Sequence, residues 1–109
     1  MPDKIAVMHC RKIGRDCTGS GCFSAFYEHR GAFAQWQGQD VQLAAFFDCS
    51  GCDADKHSDP DFLKKLNRLK ELNIRCLHLA TCCAKHCQQL PEIQAELEKE
   101  GIPFVTGSH

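Results

Sequence analysis

Apolar residues along the chain fall into four short runs, and between them the spacing lengthens to that of a helix. Ile5-Ala6-Val7-Met8 is the first run and predicts a strand covered on both faces, as in a parallel sheet. It leads through His9 to Cys10 and a loop rich in Arg, Lys, Gly and Asp. Phe23, Phe26, Tyr27, Arg30 and Phe33 recur at helical spacing, which predicts one helix over residues 23–37 with Gly31 as its weak point. An aromatic stripe at that spacing is assigned to core packing rather than to a cofactor stack. Residues 41–47 form the second strand.

Asp59-Pro60 marks a helix start, with Asp59 as the cap and Pro60 in the first turn. Phe62, Leu66 and Leu69 mark the buried face of that helix; Lys64, Lys65, Arg68, Lys70 and Glu71 form a solvated face. Asn73 is a left-handed stop. Residues 74–80 form the third strand, ending in Thr81-Cys82-Cys83. Pro91 opens a third helix with Ile93 and Leu97 inward, Gly101 ends it, and residues 102–105 form a fourth strand. Strand and helix alternate, so crossovers are right-handed and the sheet is parallel. The predicted class is α/β: a four-stranded parallel sheet of order 2-1-3-4, flanked by three helices in a flavodoxin-like, Rossmann-like three-layer arrangement. Pro103 cannot donate to a ladder, which suits an outer fourth strand.

With 109 residues the chain is expected to form one domain, residues 1–109. A formal net charge of -1 gives no footprint for nucleic acid or for an acidic membrane surface. The first apolar run is too short for a signal-peptide core or a membrane span, so a cytoplasmic location is expected. Nine cysteines change the picture. An odd count without an export signal argues against a disulfide frame and for metal binding or redox work.

The predicted sheet places these sulfurs. Strand one ends at Cys10, strand two at Cys49, strand three at Cys82, and strand four near His109. All carboxyl ends of a parallel sheet lie on one edge, where such folds bind ligands. The loop residues Cys17, Cys22, Cys52, Cys83 and Cys87 belong to the same edge, and only Cys76 lies within a strand. Adjacent strands are about 4.8 Å apart, and sulfurs sharing a zinc are about 3.8 Å apart, so neighbouring strand ends can share an ion. The expected dominant site contains Cys10, Cys49, Cys52 and Cys82, with Cys17, Cys22, Cys87 and His109 as further ligands. His29 and His57 read as surface residues, His78 as a hydrogen-bonded core histidine on the same face as Cys76 and Ala80, and His9 as pointing opposite to Cys10.

Zinc is the first choice of ion for thiolates with an occasional imidazole. An iron–sulfur cluster suits four cysteines equally well. A dithiol pair, Cys49 and Cys52, is the redox alternative, with Arg11, Lys12 and Arg15 available to favour a thiolate. Thioredoxin-type motifs open a helix directly, whereas Asp59-Pro60 starts this one later. Phosphatase-type loops need a cysteine and an arginine with five residues between them; Cys10 and Arg15 have four. No serine or carboxylate constellation suggests hydrolysis, and the sequence does not decide whether the chain is an enzyme.

Over nearly its whole length the chain resembles the CGGC domain family. The resemblance rests on Cys10, Cys17-Thr18-Gly19-Ser20-Gly21-Cys22-Phe23, Ala32-Phe33, Phe46-Phe47-Asp48-Cys49-Ser50-Gly51-Cys52, His78-Leu79-Ala80-Thr81-Cys82, Cys87 and Gly107-Ser108-His109. The chain departs from the family at Ser50, where the namesake motif has glycine, and at Asp53, where proline is usual. The resemblance implies a zinc role and supplies no reaction.

Overall fold

The computed structural model describes residues 3–11, 17–51 and 55–108. Cys52 and His109, two of the expected ligands, and Lys12 and Arg15 lie outside the described residues. Four strands, β1 (Asp3–His9), β2 (Val41–Asp48), β3 (Cys76–Leu79) and β4 (Phe104–Thr106), pair in parallel in the order β2-β1-β3-β4. This is the flavodoxin-like order expected from the sequence. Pro103 sits just ahead of the outer strand and serves as an acceptor, taking the Leu77 N–H at 2.9 Å.

Strand alternation divides the core in two. On one face Ile5, Val7 and Cys76 pack with Ala25 and Phe26 of α1 (Ser20–Glu28) and with Phe33 and Trp36 of a 3-10 segment (Gly31–Trp36). On the other, Ala6, Met8, Leu77 and Leu79 meet Phe62, Leu66 and Leu69 of α2 (Pro60–Glu71) and Ile93 and Leu97 of α4 (Leu90–Lys99). A short helix, α3 (Thr81–His86), follows β3 directly. The result is the three-layer α/β arrangement. Among the described residues no helix is long and apolar enough to cross a membrane.

Two expectations are corrected. The helix predicted over residues 23–37 is broken after Glu28: His29 adopts the left-handed conformation at φ 55, and the Arg30 N–H turns back to Ala25 O at 2.9 Å. The chain then restarts as the 3-10 segment, whose three-residue period points Phe33 and Trp36 together at the sheet. The stretch beginning at Thr81 is the first turn of α3, not a strand end. The start of α2 is as expected: Asp59 accepts the Asp61 N–H at 3.1 Å, with Pro60 opening the helix. Asn73 takes the left-handed stop, φ 57.

One irregularity in β2 matters for the site. Ile5 pairs with Leu43 but Ala6 pairs with Ala45, so Ala44 is an extra residue in the strand. Ala44 and Ala45 both pack toward the α2 side. The alternation beyond them is thereby inverted: Phe46 packs on the α1 side, and Phe47 and Cys49 on the α2 side.

Candidate functional site

The ladders bring the strand ends into register. The Cys49 N–H donates to His9 O at 3.0 Å and the Ala80 N–H to Met8 O at 2.9 Å. Cys10, Cys49 and the start of α3 therefore stand side by side at the carboxyl edge. There the sulfurs separate into two groups according to the face of the sheet. Cys10, Cys49 and Cys83 are buried on the α2 side, with Cys87 packed against them. Cys22 and Cys76 are buried on the α1 side. Cys82 packs against both cores, and its Sγ accepts the Cys10 N–H at 3.2 Å. No disulfide joins the described cysteines.

On the α1 side a cavity of about 80 Å³ opens between three of the expected ligands, Cys17, Cys22 and Cys82. They come from the loop ahead of α1, from α1 itself and from α3. His9, Phe46, Thr18 and Gly19 complete the lining. Gly19 is needed twice over: its φ is +77, and a β-carbon there would meet the Phe46 ring at 3.1 Å. Phe46 also stacks on His9, with ring centroids 4.9 Å apart. His9 Nδ1 faces Cys10 O at 3.5 Å. With the proton on Nδ1, Nε2 is left as the basic nitrogen.

Electrostatics within the site follow from burial. Burial pushes the Cys22 thiol up, a hydrogen bond with Ser108 Oγ at 3.3 Å works against this, and the charges of Cys82 and Cys17 add to it. Burial drives the Cys83 thiol far up, reinforced by Cys82, Cys49, Cys10 and Cys87; its Sγ donates to Met8 O at 3.6 Å. Cys83 is a buried thiol held neutral. Cys76, also raised by burial, lies within β3. Cys49 is buried, and α2 begins well after it, an arrangement unlike an exposed dithiol at a helix start.

Three residues at this edge were not expected from sequence as part of the site. His9 was placed opposite to Cys10, which is how it packs, but its consequence, joining the Cys22 side, follows only from the fold. Ser108 is fully buried: its Oγ takes the Thr81 N–H at 3.2 Å and touches Cys22 Sγ. Lys56 is also fully buried, and a lone lysine in a loop carries no signal of that.

The donor set fits a soft or borderline ion in kind: thiolates, an imidazole and an otherwise apolar wall. Among the described residues no three Cys, His, Asp or Glu side chains are already arranged around one point as a coordination sphere. Comparison with curated proteins and with solved structures gives no match. Comparison with protein families matches residues 4–109 to the CGGC domain. This cysteine-rich α/β chain therefore belongs to the CGGC domain family.

Proposed function

We propose that the domain binds a thiophilic metal ion, zinc first, through cysteine thiolates at the carboxyl edge of its sheet. Cys17, Cys22 and Cys82 are the principal ligands and His9 the fourth. The observation that carries this is the cavity between three thiols from three separate segments, with an imidazole on the same wall. Cys10, Cys49 and Cys87 form a neighbouring group of sulfurs from which a ligand can be exchanged or a second ion held, and Cys52 and His109 are proposed as further ligands. Bound zinc would supply a fixed positive charge that keeps these thiols ionised. The chain's own part is to bring the sulfurs together. Gly19 gives the loop its turn, and Phe46 keeps one wall apolar.

The test is metal analysis and a visible spectrum on protein purified without air. About one zinc per chain, lost in Cys17→Ser and Cys82→Ser variants that remain folded, is the expected result. Iron with absorbance at roughly 400 nm would replace zinc by a cluster. No ion at purification and none taken up on titration would overturn the proposal.

A further inference from the structure

The carboxyl edge contains a buried charge that metal binding alone does not require. Lys56 has no solvent exposure, and burying an ammonium is costly unless its protons find acceptors. Its Nζ donates to two carbonyls of a single turn, those of Cys49 and Gly51. Asp59, the cap of α2, lies 3.8 Å away, and the Phe62 ring centroid 5.0 Å away. Two carbonyls of so short a turn converge on one cation because consecutive residues are left-handed: Ser50 at φ 67 and Gly51 at φ 89. The Ser50 N–H is meanwhile turned to Asp48 Oδ1 at 2.8 Å. Positive φ is sterically disfavoured for serine, so something must hold it there.

We infer that Lys56 is a positioning residue for the turn after Cys49: its buried ammonium holds the Cys49 and Gly51 carbonyls inward and thereby fixes the left-handed path through Ser50 and Gly51. The functional importance of that turn rests on the proposed metal role; its conformation does not. The lysine also accounts for serine at this position. The ammonium over-determines the turn, so the backbone angle survives without glycine.

The experiment is a double-mutant cycle in metal-free protein. Ser50→Gly should raise Tm by about 5 °C, because glycine adopts positive φ without penalty. In a Lys56→Met background the turn is no longer held, and the same substitution should raise Tm by less than half as much. Should Lys56→Met not fold, Lys56→Gln, whose amide can still donate to a carbonyl, serves in its place and gives intermediate coupling. The NMR couplings of Ser50 that report φ should indicate a positive angle in the parent and lose it in the Lys56 variant. Additive Tm shifts, or a negative Ser50 φ in the parent, would overturn the inference. Failure to bind any ion would leave this cycle unchanged, so the two proposals fail separately.

Discussion

The Trp36 indole donates its Nε1–H to Nε2 of His78 across 2.9 Å, inside the α1 side of the sheet. That bond fixes the imidazole tautomer: Nδ1 carries the proton and donates to Gly107 O at 3.2 Å. A core histidine thus connects the 3-10 segment to the C-terminal tail, and the tail brings Ser108 to Cys22. Trp36→Phe should leave Nε2 buried without a donor and destabilise the protein by about 1–3 kcal/mol, read from urea unfolding. A change within a few tenths of a kcal/mol would mean that the bond is replaced by solvent.

Two histidines should give the protein opposite pH limbs. Burial lowers the pKa of His78 below 6.5, with the Gly107 carbonyl partly opposing. The unfolded state therefore binds the proton first, and stability should fall as pH drops below 6.5 toward the folded pKa. His57 is raised above 6.5, first by its hydrogen bond to Glu96 at 2.7 Å and further by the charges of Asp55 and Glu96, with Lys99 opposing. Its contribution is full below 6.5 and is lost as pH rises through the folded value. His57→Gln should remove the alkaline limb and leave the acid limb intact. Urea midpoints measured across pH 5 to 8 check both signs, and loss of the acid limb in that variant would contradict the assignment.

Thiol alkylation of the metal-free protein should proceed in a set order. Cys17, exposed on the cavity rim, reacts first, while Cys76 and Cys83 react only on unfolding, since burial keeps both protonated. Peptide mapping after a short iodoacetamide pulse gives the order. Labelling of Cys83 in folded protein would show that the α2-side core opens.

Asp59 has two separable duties, capping α2 and facing the Lys56 ammonium. Asp59→Ala should cost about 1 kcal/mol for the cap and more for the uncompensated buried cation. Asp59→Asn keeps a capping oxygen and removes only the counter-charge, so the difference between the two variants isolates the cap. Equal losses would show that the cap contributes nothing beyond the charge.

Much of this architecture is legible in the pattern of apolar runs. Four runs with helical stretches between them point to a parallel sheet, and the flavodoxin-like order expected for it is the one observed. The stop at Asn73 and the Asp59-Pro60 start are chemical signals that the fold keeps. Where the pattern misleads, tertiary structure wins. Phe23, Phe26 and Phe33 fit one helical period, yet His29 breaks it, because a restart allows Trp36 to reach His78. Thr81-Cys82-Cys83 extends an apolar strand on paper, but β3 ends at Leu79 and the chain turns at once into α3. The gathering of thiols at one edge was readable, since it needs only strand direction. The face that Cys49 joins was not, because it depends on the extra residue Ala44, which looks like any other strand residue. Lys56 was invisible for a different reason: its acceptors are backbone carbonyls, which leave no trace in side-chain identity.

A single alanine thus acts as a parity switch. Were the same residues to pair without the bulge, alternation would run unbroken through β2 and Phe46 and Cys49 would exchange faces, whereas removing Ala44 itself would leave both where they are. In that bulge-free strand the Phe46 wall of the cavity would turn away and the Cys49 sulfur would turn toward the α1 side. Which interior receives the first cysteine of the namesake motif is therefore set by one extra step in the strand that leads to it, not by the motif itself.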